Sequence, residues 1–415
     1  MRILSGRAAE ARVKLLAGRS SQFGAVEPRV RRIVEDVRRN GDRALRKYAE
    51  RWDGLKSDDS IRISEKELQS AWKAVSPQLR VALKQASGNI RQFCEWQKPK
   101  EWRRTRNGIS LGVLVRPLDS VGCYVPGGRY PLVSTLLMTV IPAQVAGVKN
   151  IRVVSPQPRS EVLAAAGMLG VKEFYRVGGA QAIAALAYGT SSIPRVDKIV
   201  GPGNLFVTTA KKLVSFDCAI DMLAGPTEAV IVSDDGNPQF IAVDLVCQAE
   251  HDPETVVIFI TSRRKLADSV VVCVKEIAEE NPIAKKALAK SGAILIADSR
   301  MQAIAWANQI ASEHITVARR DVDSIQNAGS VFVGNYSAQA AGDYASGPNH
   351  VLPTAGAARF RGGLSVMDFV KLITVQELSR DGLLRIAPTI QTLALTEELQ
   401  AHAESVRIRS EASRA

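Results

Sequence analysis

The stretch CQAEHDP, residues 247–253, sets Gln248 and His251 three residues apart, with acids on both sides of the histidine. It closes a run, NPQFIAVDLV, that reads as a helix, and three-residue spacing puts both side chains on one helix face. Imidazole nitrogen and carboxylate oxygen are ordinary zinc ligands, and an amide oxygen is a less usual one. Asp343, in GDYASGPNH, and His402, in EELQAH, are the other candidates for the same ion. The competing reading is a capped helix end, where an imidazolium favours the C-terminal dipole. QxxH spacing alone does not decide between them.

Glu313 and His314 form a second candidate. Adjacent residues on a helix diverge, so this pair would act best from a loop, the imidazole as general base and the carboxylate activating water. A solvated loop pair is the competing reading. The chain has four histidines, His251, His314, His350 and His402, and each lies among polar groups: QAEH, SEH, GDYASGPNH and EELQAH. That company argues for a shared site as strongly as for separate core or surface roles. The Gly/Pro segments VGCYVPGGRYP, VGGAQAI and VGPGN follow strand-like runs and open helix-like ones, where an open α/β sheet binds ligands. None is GxGxxG, so a nucleotide site rests on position rather than on that fingerprint. Cys123 and Cys247 lie near these regions with no evident base and read as small buried residues.

The elements that must position these groups follow from the chain pattern. Residues 1 to about 105 carry periodic apolar positions and many charges, and read as helices. Short β-type runs then alternate with helices: SVGCYV, IRVVSP, EFYRV and DKIVGPGN around STLLMTVIPAQVAGV, EVLAAAGMLGV and QAIAALAYGT. A second series runs through EAVIVSD, VVIFITS, a helix over residues 264–280, GAILIADS and GSVFVGN. Strands alternating with helices of this length imply βαβ units and parallel sheets. The expected organisation is a helical N-terminal segment (1–110), two α/β domains in tandem (111–225 and 226–370), and a helical C-terminal segment (371–415).

The formal charge is +13 over 415 residues, but acids interrupt the Lys and Arg along helical stretches such as residues 28–52, as on a solvated face. No nucleic-acid-binding signature accompanies them. Five cysteines, odd in number and without a CxxC, fit a reducing compartment. Without an apolar leader or a bilayer-length apolar run, the expected setting is the cytoplasm, with no membrane partner.

Taken together, VGCYVPGGRYPLVSTLLM, RVGGAQAIAALAYGT, DKIVGPGN, DMLAGPTE, QAEHDP, GDYASGPNHVLPT and GLSVMDF resemble the histidinol dehydrogenases, densely from about residue 110 onward. The resemblance implies a pair of incomplete Rossmann-like domains, one Zn2+ per subunit, and NAD. It implies oxidation of L-histidinol to L-histidine by two hydride transfers through an aldehyde-level intermediate, the final steps of histidine biosynthesis. It also implies a homodimer whose C-terminal helices reach the partner's site. Carried onto this sequence, the metal ligands fall on Gln248, His251, Asp343 and His402, and the catalytic pair on Glu313 and His314. Substrate contacts fall on Thr227, Gln248, His251, His314, Asp343, His350, Glu397 and His402, and NAD contacts on Tyr124, Gln181 and Asn204.

Three positions depart from the family pattern: Thr227 and Cys247, where serine is usual or common, and Ser312 in place of proline, which is expected to loosen the loop before Glu313. A dehydrogenase of the same fold acting on another amino alcohol or a diol is the alternative reading. A zinc-holding or basic-surface binding protein without catalysis is a third.

Overall fold

The computed structural model describes residues 1–19, 23–127 and 131–411. Residues 20–22, residues 128–130 near the end of VGCYVPGGRYP, and the last four residues of the basic tail lie outside them. The chain divides into two compact units, one of residues 1–97 and 118–369, the other of residues 98–117 and 370–415.

The strands, in chain order, are β1 (Arg2–Ser5), β2 (Arg62–Ile63), β3 (Trp102–Arg106), β4 (Ile109–Pro117) and β5 (Ser120–Tyr124). Next come β6 (Asn150–Val154), β7 (Glu173–Tyr175), β8 (Lys198–Val200), β9 (Ala219–Ile220) and β10 (Glu228–Val232). The last are β11 (Val256–Thr261), β12 (Ala293–Ile296), β13 (His314–Val317), β14 (Ser330–Val333) and β15 (Val370–Leu378).

In the larger unit one sheet runs β2-β7-β6-β5-β8-β9 and the other β1-β12-β11-β10-β13-β14. Leaving out the first strand of each, both have the order 3-2-1-4-5 of a doubly wound nucleotide-binding sheet, short of its sixth strand. The expected fold class holds, and the two halves share one topology that the sequence did not display. Every pairing in these sheets is parallel except β2 with β7. Helices covering both faces explain why EAVIV and SVGCY are buried along their whole length rather than alternating. The helix Val133–Ala146 is apolar nearly all round for the same reason.

The N-terminal segment is not wholly helical, as its pattern suggested. β1 adds in parallel to the edge of the second sheet, and β2 pairs antiparallel at the edge of the first. The amphipathic helix Glu27–Trp52, kinked at Gly41, packs Val37 and Leu45 into the core of the first sheet. The helix Gly6–Ala17 packs Val13 and Leu16 into that of the second.

The smaller unit is an antiparallel sheet, β15-β4-β3, followed by the helices Arg380–Thr396 and Gln400–Glu411. The chain after residue 370 therefore begins as a strand, where a helix was expected. Within the segment expected to be helical, the two helices are separated at Glu398, which has φ +61°. No helix among the described residues is long and apolar enough to cross a membrane.

Candidate active site

Glu313 and His314 do not lie on a solvated loop. Helix Arg300–Ile310 ends in a left-handed Ala311, and the chain turns through Ser312 and Glu313 so that His314 opens β13. Both side chains are buried, Glu313 at 7 % exposure and His314 at 3 %. Ser312 does not loosen this turn: it is fully buried, and its hydroxyl donates to the His314 carbonyl at 2.9 Å. A Cβ on Gly329 would stand 2.6 Å from the Glu313 carbonyl, so glycine lets β14 close against this corner.

The side chains form one connected cluster. Glu313 Oε2 accepts from the Glu228 backbone N–H at 3.0 Å and lies 3.8 Å from His314 Nδ1. His314 Nε2 is 3.4 Å from Asp343 Oδ1, and Gln248 Nε2 donates to Asp343 Oδ2 at 3.0 Å. His350 Nδ1 is 2.8 Å from the Asp343 carbonyl oxygen, and its Nε2 is 3.4 Å from the Thr135 hydroxyl on the helix that follows β5. The Phe332 ring stacks on His314 with centroids 5.9 Å apart. Sequence reading missed Thr135, Glu228 and Phe332. Glu228 was visible only as the last residue of DMLAGPTE, and the other two carry no chemistry that marks them.

These environments shift the titrations in a connected way. Burial pushes the Glu313 carboxyl up to about 8, partly offset by the neighbouring imidazole. For His314 burial disfavours the cation, but the Glu313 and Asp343 carboxylates outweigh it, and its pKa rises above the ordinary value. Burial works in the other direction on Asp343, where the hydrogen bond and charge of His314 prevail and hold it low. His350 is lowered, chiefly by burial. The thiols of buried Cys123 and half-buried Cys247 are pushed up to about 12, chiefly by burial, which gives neither nucleophilic character.

Gln248 lies in the last turn of helix Pro238–Ala249, and His251 stands beyond the helix end, exposed, rather than on the helix face. Gln248 Oε1 and His314 Nδ1 are buried atoms with no hydrogen-bond partner. An orphaned amide oxygen beside a low-pKa carboxylate, with an exposed imidazole one turn of chain away, fits a metal ligand set. Among the described residues no group of three or more His, Cys, Asp or Glu is disposed to hold an ion, so this unit offers Asp343, His251 and an amide. Glu397 and His402, both exposed, belong to the smaller unit: Glu397 ends helix Arg380–Thr396, and His402 lies in the first turn of Gln400–Glu411. Thr227, half-buried, immediately precedes β10.

The other three predicted residues stand at the carboxyl ends of the first sheet. Tyr124 ends β5, and its phenol oxygen accepts from the Gly179 N–H at 3.1 Å, at the start of helix Gly179–Tyr188. Gln181, in the same helix turn, donates to Asp53 Oδ2 at 3.1 Å. Asn204 caps helix Leu205–Val214 through its Oδ1, accepting from Phe206 and Val207 at 3.0 and 3.1 Å, with its side chain exposed. β5 and β8 are the neighbouring strands at which the order reverses, and ligands of doubly wound sheets bind there. The acid–imidazole pair, by contrast, sits at the amino end of the second sheet.

A nucleotide-type sheet, joined to a second sheet that carries a buried carboxylate and imidazole, is an arrangement that suits a dehydrogenase. The comparisons agree: the histidinol dehydrogenase family profile matches residues 17–410. The chain is 45 % identical to the histidinol dehydrogenase of Methanothermobacter thermautotrophicus over 91 % of its own length and 92 % of that protein's. It is 47 % identical to that of Haloarcula marismortui, over 95 % and 96 %. The crystal structure of histidinol dehydrogenase from Elizabethkingia anophelis superposes with a TM-score of 0.95 at 37 % identity, covering 100 % of this chain and 99 % of that one. The chain belongs to the histidinol dehydrogenase family and is an oxidoreductase.

Proposed function

We propose that this enzyme oxidises L-histidinol to L-histidine in two steps through an aldehyde-level intermediate, with zinc and NAD, in the cytoplasm, as the last reactions of histidine biosynthesis. The observation that carries the reading is the buried run Glu313–His314–Asp343–Gln248, with an unpartnered amide oxygen at one end and an unpartnered imidazole nitrogen in the middle. Gln248, His251, Asp343 and His402 would hold the zinc, and Tyr124, Gln181 and Asn204 would contact the NAD. When bound, zinc supplies a Lewis acid that holds and polarises the substrate oxygen, and NAD supplies the acceptor for hydride leaving the substrate carbon.

The residues divide the proton chemistry. With Nε2–H directed at Asp343, His314 Nδ1 is left as the proton acceptor, and it takes the hydroxyl proton as the alcohol becomes a carbonyl. Glu313, held by the Glu228 N–H, takes a proton from the water that adds to the aldehyde, giving the hydrate that the second oxidation consumes. Asp343 keeps His314 oriented through a contact of 3.4 Å. Thr227, Gln248, His251, His350, Glu397 and His402 would line the substrate's amine and imidazole.

We also propose a homodimer in which His402 and Glu397 serve the partner's site. The smaller unit favours this reading: Leu372 and Ile373 on β15, and Leu393, Leu395 and Leu399 beside the helix break, are exposed large apolar side chains. Such a concentration marks a protein interface. The discriminating experiment is NADH formation from a panel of polar alcohols, with and without a chelator. Turnover of histidinol well above other amino alcohols and diols, lost on chelation and restored by zinc, is expected. Preference for another alcohol would transfer the reading to a same-fold dehydrogenase of different substrate.

A further inference from the structure

The loop Gly201-Pro202-Gly203-Asn204 is held by a charge pair that lies wholly inside the protein. Lys211 projects from helix Leu205–Val214 and pairs with Asp221, their side chains 2 % and 0 % exposed. Lys211 Nζ donates to the Gly201 carbonyl at 3.0 Å, and the Gly201 N–H donates to Asp221 Oδ2 at 2.7 Å. One ion pair thus takes both backbone groups of a single residue. That residue has φ +112°, and a side chain on it would collide with the Tyr124 carbonyl oxygen, so it is where β5 and β8 part.

A buried ion pair is weak evidence for stability, since apolar residues of similar volume commonly serve as well or better. Its value is then sought in what it fixes. Lys211 reaches back from the helix that Asn204 caps to the residue that opens the same loop. Asp221 holds the loop from the far side and also accepts from the Met222 N–H at 2.5 Å, and its own carbonyl accepts from Arg361. From Met222 the chain runs directly to Thr227 and then to Glu228, which opens β10 of the second sheet. The pair therefore fixes the start of the loop bearing Asn204.

We infer that Lys211 and Asp221 are positioning residues for the dinucleotide, holding the loop 201–204 in its binding shape before the ligand arrives. This rests on the reading that NAD contacts Tyr124 and Asn204. A loop already ordered costs the ligand no ordering entropy, so loss of the pair weakens affinity rather than chemistry.

The test uses the zinc-loaded enzyme and the double variant Lys211→Met with Asp221→Asn, which removes both charges and the donor to Gly201. NADH affinity is read by fluorescence titration without substrate. The expected result is a dissociation constant raised about tenfold or more, and a similar rise in KM for NAD. The KM for histidinol and the zinc content should be unchanged, and kcat at saturating NAD lowered less than about threefold. A folded double variant that binds NADH like wild type overturns the inference. Should the variant fail to fold, hydrogen exchange on the wild-type enzyme decides. The Gly201 and Met222 amides should be protected without NADH, and free exchange until NADH is added overturns the inference equally. Tyr124→Phe and Asn204→Ala separate the two levels. If neither weakens NADH binding, the cofactor reading itself fails; if they do and the pair variant does not, only the positioning role fails.

Discussion

Glu313 and His314 are neighbours in sequence, yet their environments assign them different work. Replacing the imidazole (His314→Gln) should slow alcohol and aldehyde oxidation alike, because it is the proton acceptor whenever a hydroxyl becomes a carbonyl. Replacing the carboxylate (Glu313→Gln) should slow mainly oxidation of supplied aldehyde, since water is needed only there. Each base is worth about 10²–10⁴ in rate, and equal losses in both half-reactions from both variants would dispose of the division. The pH dependence follows from the same pair. Both groups act deprotonated, and both titrate above their ordinary values, Glu313 at about 8, so kcat/KM should fall as pH drops through that region. In Glu313→Gln the larger of the charges that raise the His314 pKa is gone while Asp343 remains, so the inflection for alcohol oxidation should move to lower pH. An unmoved inflection would mean that another group sets it. His251→Asn tests the metal assignment: zinc content measured on the purified variant should drop sharply, with the circular dichroism of the α/β core retained. A variant with full zinc and normal turnover would place the metal elsewhere.

At the scale of elements, the acid–imidazole corner depends on β13 and β14 meeting closely. Gly329→Ala puts a methyl against the Glu313 carbonyl, and overpacking of this kind costs about 1–3 kcal/mol. Thermal unfolding should fall accordingly, and turnover should fall with it, while NADH binding at the first sheet stays as in wild type. Loss of NADH affinity in this variant would show that the corner is not a local element. The long hydrophobic strands and helices of both sheets were legible in the sequence, because burial on two faces writes a continuous apolar run bounded by Gly and Pro. β13 was not, because a four-residue strand opening on His314 behind Ser-Glu reads as a polar loop. β1 and β2 were hidden likewise, as four and two residues inside an amphipathic helical segment, where edge pairing rather than periodicity makes the strand. The break at Glu398 was hidden too, since a left-handed residue other than Gly leaves little trace in hydropathy. At the site, QxxH spacing put Gln248 and His251 on one helix face, but the helix ends at Ala249, between them. Asp343 is the partner of Gln248 across 95 residues, and nothing local in the sequence shows that pairing.

At the scale of the whole molecule, the four proposed zinc ligands are divided between two compact units of the chain, with His402 in the smaller. If that helix serves the partner subunit, inactive His402→Ala and His314→Gln dimers should complement after subunit exchange. About half of the re-formed dimers would be mixed, and each mixed dimer would hold one site with both lesions and one with neither. No recovered turnover after verified exchange would confine His402 to its own chain. The claim that joins residue, element and assembly is that one site performs both oxidations of histidinol. It is tested most directly by the stoichiometry of product formation with limiting histidinol and excess NAD. Two NADH and one histidine per histidinol consumed are expected, with no free aldehyde accumulating and none of this after chelation. One NADH per histidinol with aldehyde released to solution would contradict it.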